Sequence, residues 1–380
     1  MAKRTWLTDR LVKLSWVSLL QDAASEMLYP IIPVLLNAVF GAPALVVGLI
    51  ESLAEGVAAL TKLLSNQINR FLSKRSMVIG GYGLAAVGKV VIALASAWPM
   101  VLLGRVVDRL GKGMRSASRD AILLEDVEPS DRGKVVGFHR TADNFGALIG
   151  PAIALLLLSV FENKLGFVLW IAVIPAVLSS LVTFSIRGGN SKASKVQTLD
   201  KVPLGGKANQ LILVVALFSL VNFPDALILL HLTQSGWSLA AVISVYLLFN
   251  LSSTLFSFPA GLLSDRFAPK LVFAFGLFCF AFTYFGLAAT SNQVVEGLLM
   301  VVYGLFAAIN ETVGKSWVSK LAGSKAQLQA QSRLQGWSGF AILGAGIWAG
   351  FAWGDTGVVP LAVSGVLAVM VALFLALRKF

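Results

Sequence analysis

Leu19-Leu20-Gln21-Asp22-Ala23-Ala24-Ser25-Glu26-Met27-Leu28-Tyr29-Pro30 sets two acids in the middle of an otherwise apolar run. Val221-Asn222-Phe223-Pro224-Asp225-Ala226-Leu227 sets another acid in a comparable run in the second half of the chain. The spacing recurs: 225 − 22 and 311 − 108 both equal 203, the second pair lying in Asp108-Arg-Leu-Gly-Lys112 and Glu311-Thr-Val-Gly-Lys315. Leu63-Leu-Ser65 returns as Leu262-Leu-Ser264 at nearly the same offset. An acid in hydrocarbon is expensive and is kept for a function or a partner. Acids on a half-chain repeat predict a pseudo-two-fold membrane protein with a polar site between its halves.

Composition supports this. Of 380 residues, 57% are hydrophobic and 13% charged, more apolar surface than a soluble domain of this size can bury. Apolar runs of about 20 residues read as transmembrane helices. Hydropathy places twelve, at roughly 12–38, 44–66, 76–96, 99–121, 133–160, 166–186, 208–231, 238–263, 270–290, 294–317, 330–353 and 357–377. The predicted fold is all-α, with two six-helix bundles at 1–187 and 208–380 joined by a polar, basic linker at 188–207. Lys3, Arg4, Arg10 and Lys13 lead into an uncleaved first helix with no small-residue cleavage site.

The net charge of +12 is not a nucleic-acid signature here, because the basic residues cluster at helix ends. Arg70, Lys74, Arg75, Arg132, Lys134, Lys192, Arg266, Lys270, Lys320 and Lys379 fall on one side, and the opposite loops hold only Lys164. That asymmetry predicts an inner-membrane protein with both termini in the cytoplasm. The one cysteine, Cys279, excludes an intrachain disulfide, and His139 and His231 are too few for a histidine-rich metal site. No nucleotide-binding glycine loop or nucleophilic triad is present. Neither catalysis nor a cofactor is expected. The expected partners are the lipid bilayer, protons and a small-molecule substrate, with the chain acting as a monomer.

The fourth span concentrates charge. Arg105, Asp108, Arg109, Lys112, Arg115 and Arg119 recur every three or four residues and share one helical face. At 1.5 Å per residue, Asp108 lies ~13 Å and Lys112 ~20 Å below the outer end. Such a stripe must face a cavity or another helix. Arg115, Arg119 and Asp120 read as an interfacial cluster with snorkelling side chains. The first span carries Asp22 and Glu26 four apart, and Pro30 and Pro33 allow a bend beside them. Glu51 and Glu55 sit four apart in the second span. The fifth holds Arg140 and Asp143 ahead of Gly146-Ala-Leu-Ile-Gly150-Pro151, whose small residues permit close packing. The second half offers Asn222, Asp225, Asn250, Asn310 and Glu311. Lys89 is expected to pair with an acid, His139 to lie near a helix start and His231 at the outer rim.

Gly261-Leu-Leu-Ser-Asp265-Arg266-Phe-Ala-Pro-Lys270 resembles the cytoplasmic gating motif of the major facilitator superfamily. Arg105-x-x-Asp108-x-x-Gly111-x-Gly113 resembles its fourth-helix motif, and Gly146-x-x-x-Gly150-Pro151 the fifth-helix motif of its proton antiporters. Asp22-x-x-Ser-Glu26-Met-x-Tyr29-Pro30 and Asp108-Arg-x-Gly-Lys-Gly-x-Arg115 look like a prokaryotic subgroup. The first-half gating motif departs from the family, with Asn69 before Arg70 where a carboxylate is usual. Asn69 cannot supply the charge that complements a helix N-terminus, which would leave the inward gate resting on Asp265 and Arg266.

The resemblance implies alternating access to a central site. Burial favours the neutral form of a carboxylic acid and a nearby cation favours its ionised form, so moving an arginine relative to an acid can load or release a proton. Asp22, Glu26, Asp143, Asp225 and Glu311 are the candidate acceptors. Arg105, Arg109 and Arg140 are their partners or substrate anchors. The leading expectation is a proton-coupled exporter of small organic molecules. A proton-coupled importer of an organic anion held by Arg105 and Arg109, and a non-transporting membrane sensor or assembly factor, stand as alternatives.

Overall fold

The computed structural model describes residues 6–128, 131–161, 164–186, 188 and 204–378, without the side chains of 66, 265, 324, 325 and 328. Its contacts divide the chain into two compact units, Met1–Leu36 with Leu53–Thr198, and Asn37–Ser52 with Leu199–Phe380. The linker expected at 188–207 falls mostly on positions outside the described residues.

In the first unit α1 runs over Asp9–Leu28, α3 over Lys74–Ala93, α4 over Trp98–Leu123, α5 over Arg132–Val160 and α6 over Leu165–Thr183. Helix α2, Ala44–Ile68, belongs to this unit from Leu53 onward. Thr8 caps α1 by accepting from the Leu11 amide at 3.2 Å, and Ser73 caps α3 by accepting from the Ser76 amide at 3.1 Å. These side chains satisfy donors that a helix start leaves without partners. Past α1 the chain turns at Pro30 and resumes at Ile32–Val34, with a wide turn at Leu35–Val39. The prolines remove the amide donors that would have continued the ladder.

Glycines set the closest approach in this unit. A Cβ on Gly88 would stand 2.5 Å from the Gly104 carbonyl oxygen, and one on Gly104 2.7 Å from that of Gly88. Gly81 and Gly111 repeat the pairing two turns away. Seven-residue spacing places both glycines of each helix on one face, so α3 and α4 meet backbone to backbone. Helix α5 packs on α1 in the same way. Cβ atoms on Gly146 and Gly150 would each lie 2.5 Å from a carbonyl oxygen of α1, and 3.2 and 3.0 Å from the Cβ atoms of Asp22 and Glu26. Ser179 of α6 donates to the Val17 carbonyl at 2.8 Å.

The second unit holds α7 at Gly206–Ser219, α8 at Asp225–Gln234, α9 at Leu239–Arg266, α10 at Pro269–Ala289, α11 at Gln293–Ile309, α12 at Lys315–Phe351 and α13 at Val358–Leu377. The seventh expected span is therefore two helices, broken before Pro224, and Asp225 opens the second of them. A wide turn at Asn310–Gly314 joins α11 to α12. Helix α12 carries the foot of the tenth span and the whole of the eleventh, with a break at Gly323, whose φ is +71°. That conformation costs an L side chain and is open to glycine.

Among the described residues, nine helices are long and apolar enough to cross a membrane. Helix α4 is long enough but carries the charged stripe. The seventh span is divided between two short helices. The eleventh is the glycine-rich second part of α12. Together these account for the twelve spans.

Candidate functional site

Helix α4 is the spine of the polar site. Lys89 of α3 donates to Asp108 Oδ1 at 2.9 Å, with both side chains at most 4% exposed. The Gly88–Gly104 contact, one residue from Lys89 and one turn from Asp108, brings the two helices close enough for this bond. Arg105 Nη1 lies 3.9 Å from Asp108 Oδ2 and its guanidinium sits over the Tyr29 ring at 5.8 Å. Arg109 reaches Glu55 of α2 at 3.1 Å. Arg105, Asp108 and Arg109 are all buried, as hydrocarbon around the unit requires. Lys112 is the exception on this face: it is exposed.

The C-terminal half of α4 corrects the sequence reading. Arg115 is 6% exposed, not snorkelling, and its guanidinium lies 4.4 Å from the Tyr82 ring centroid. Arg119 donates to Ser18 at 2.8 Å and to Asp120 at 3.0 Å, and lies 3.8 Å from Asp143. His139 is buried and lies 3.3 Å from both Ser15 and Ser18 and 3.6 Å from Asp143. Ser18 also meets Tyr82 at 3.1 Å. Ser15, Ser18, Tyr82, Arg119, His139 and Asp143 thus form one network across α1, α3, α4 and α5. The clue in the sequence was its periodicity: Ser15, Ser18, Asp22, Ser25 and Glu26 all fall on one face of α1.

Asp22 and Glu26 are half-buried on this side of α1. Asp22 lies one turn from Ser18, which Arg119 meets at 2.8 Å, on the turn against which Gly146 packs. Arg140 is exposed on α5, and Asp143 is engaged by Arg119 and His139.

In the second unit Asp225 accepts from the Tyr303 hydroxyl at 2.6 Å. Tyr303 stacks on Phe249 and Phe306 and borders Phe280 and Tyr284. An acid at the first position of a helix faces the positive end of its dipole, which suits Asp225 to the broken span. Glu311 behaves differently: its side chain is 63% exposed and pairs with Lys315 at 2.7 Å. His231 is buried, not a rim residue. Its Nδ1 donates to the Thr356 carbonyl at 2.6 Å, and its Nε2 faces Glu296 at 3.6 Å. Glu296 is fully buried and accepts from Trp237 Nε1 at 2.5 Å. Sequence reasoning missed Glu296 because one acid near a helix start carries no pattern.

Of the gating residues, Asn69 is buried and Arg70 and Arg266 are exposed, while the Asp265 side chain lies outside the described residues.

The sequence matches the family model described as Major Facilitator Superfamily over residues 14–251. An uncharacterised MFS-type transporter of Methanocaldococcus jannaschii is 27% identical over 379 residues, covering 97% of this chain and 94% of the relative. A variant of the nucleoside transporter NupG superposes with a TM-score of 0.80 at 16% identity, covering 97% of this chain and 98% of that one. A peptide transporter variant does so at 0.80 and 14%, covering 96% and 93%. The apolar helices make the chain a multi-pass membrane protein with the fold of secondary transporters, and it belongs to the major facilitator superfamily.

Proposed function

We propose that this chain is a proton-coupled secondary transporter that moves a small organic solute across the inner membrane by alternating access, with both termini cytoplasmic. One observation carries the coupling. Gly146 and Gly150 press α5 against α1 at the turns that bear Asp22 and Glu26, and Arg119, which meets Ser18 one turn before Asp22 at 2.8 Å, lies 3.8 Å from Asp143. Two acids that share a small set of cations repel one another and compete for them. A proton on either relieves the competition. Movement of α4 relative to α1 and α5 would change which acid the cations serve and so release or bind that proton. Asp22 and Asp143 are the coupling pair in this reading, with Arg119 and His139 as their partners.

The buried Lys89–Asp108–Arg105 cluster and the half-exposed Arg109–Glu55 pair hold α4 in register, and Asp225 with Tyr303 is a second polar element. Glu311, exposed and paired with Lys315, plays a lesser part.

The test is solute flux from proteoliposomes with an imposed proton gradient, followed by untargeted metabolite detection. Wild type should drive uphill movement of at least one solute. Asp22→Asn should lose gradient-driven transport while keeping solute exchange. Full gradient-driven transport by Asp22→Asn and by Asp143→Asn would refute the coupling assignment.

A further inference from the structure

We propose that Lys112 and Arg115 form the binding site for an anionic group of the solute, a carboxylate or phosphate, in exchange balance with the Asp22 carboxylate. The inference rests on the transporter reading and names the class of substrate that this face of α4 takes.

The sequence pointed to Arg105 and Arg109 as anion anchors, but both are engaged by acids of the protein, Asp108 and Glu55. Lys112 and Arg115 are not. Among the described residues Lys112 has no ion pair within 4 Å although it is exposed on the charged face about 20 Å along α4. A free ammonium at that depth is tolerable only where water or a polar ligand reaches it. Arg115 is 6% exposed, makes no ion pair among the described residues, and its Nη1 has no hydrogen-bond partner. A buried guanidinium without a counter-ion is costly, and its planar fork suits an oxyanion. The two residues are three apart on one face, and the Arg119–Ser18 and Arg105–Tyr29 contacts bracket them, which sets the Asp22 turn of α1 opposite this stretch of α4.

These placements give a coupling rule. With Asp22 ionised, its charge offsets the two cations and opposes an incoming anion. With Asp22 protonated, the exposed Lys112 is open to the anion and the buried Arg115 adds its charge from the neighbouring turn. Anion binding and Asp22 protonation therefore favour each other by linkage. The other charged and titratable groups on the helices around Asp22 are Glu26 on its own helix, Arg119 on α4, and His139, Arg140 and Asp143 on α5. Helix α6 carries no charged residue, and Glu55 of α2 acts on Lys112.

The experiment is calorimetric titration of the purified full chain in neutral detergent with benzoate, sulfate and inorganic phosphate in turn, at constant ionic strength in chloride, at pH 6 and pH 8. Wild type should bind at least one probe, more tightly at pH 6. Lys112→Ala should weaken binding about tenfold or more at both pH values, and Lys112→Arg should restore part of it. Asp22→Asn should bind tightly at both, without the pH difference. Equal binding by wild type and Lys112→Ala, or no binding of any probe by wild type at tens of millimolar, would overturn the proposal. Loss of probe binding when phosphatidylglycerol is added would assign the site to a lipid phosphate and overturn the solute assignment. The titration needs no gradient, so uphill transport by Asp22→Asn would refute proton coupling and leave the anion site standing.

Discussion

Removing Lys89 or Asp108 should have unequal costs, and the inequality follows from the geometry. Lys89 lies 2.9 Å and Arg105 3.9 Å from the Asp108 carboxylate. At an effective dielectric of about 20, those separations correspond to gross attractions of about 6 and about 4 kcal/mol, most of it offset by desolvation. Lys89→Met leaves Asp108 with Arg105, so a substantial share of the attraction survives. Asp108→Asn strips the carboxylate from Lys89 and Arg105 together. Breaking a buried pair from one side costs about 3–5 kcal/mol. Asp108→Asn should therefore sit at or above that range and Lys89→Met at its lower end. The double variant Lys89→Met/Asp108→Asn removes Lys89 as well and should recover its share of the loss, with Arg105 still lacking the Asp108 carboxylate. Reversible unfolding in mixed detergent micelles, read by circular dichroism, gives the double-mutant cycle. Additive single effects, or a Lys89→Met cost below about 0.5 kcal/mol, would show that the pair is not the register-setting contact described here.

The remaining expectations concern packing and buried polar groups. Gly88→Leu should separate α3 from α4, because a Cβ there already meets the Gly104 carbonyl oxygen at 2.5 Å, and the yield of folded protein should fall sharply on size-exclusion chromatography while Gly133→Leu, at an exposed site, is tolerated. Gly150→Leu meets the Ala23 carbonyl oxygen at the same 2.5 Å, so it should also lower the yield of folded protein, and the fraction that folds should have lost gradient-driven transport; undiminished transport would argue against the α1–α5 contact as the coupling element. Glu296→Leu should destabilise the second unit by about 1–3 kcal/mol, because it leaves the buried Trp237 Nε1 without its acceptor, whereas Glu296→Leu combined with Trp237→Phe should cost less; thermal unfolding followed at increasing detergent stringency would rank them.

Much of the architecture was legible in the chain. Long apolar runs specify a many-span helical membrane protein, because hydrocarbon admits only spans that satisfy their own backbone. The four-residue glycine spacing of Gly146 and Gly150 also announced a close helix contact. Breaks were partly readable: Pro30 and Pro33 announced the bend after α1, but the division of the seventh span before Asp225 and the continuity of α12 across the tenth and eleventh spans were not, the latter because its break lies at a single glycine with no proline beside it.

Charge partners were a different matter. Periodicity puts Arg105, Asp108, Arg109, Lys112, Arg115 and Arg119 on one face of α4, but by itself it makes Arg115 and Arg119 interfacial and leaves Arg105 and Arg109 as substrate anchors. Which cations are spoken for is decided by Lys89, Glu55, Ser18 and Asp143, which come from four other helices. A charge on a helix fixes only the direction in which its side chain points. Its energy depends on what stands within about 4 Å of it, and that distance is set by how closely the neighbouring backbones approach, here through the Gly88–Gly104 and Gly146–Asp22 contacts. The sequence therefore determined the membrane fold and the polar face of α4, while tertiary packing alone decided which charges on that face are neutralised and which, at Lys112 and Arg115, remain to meet a ligand.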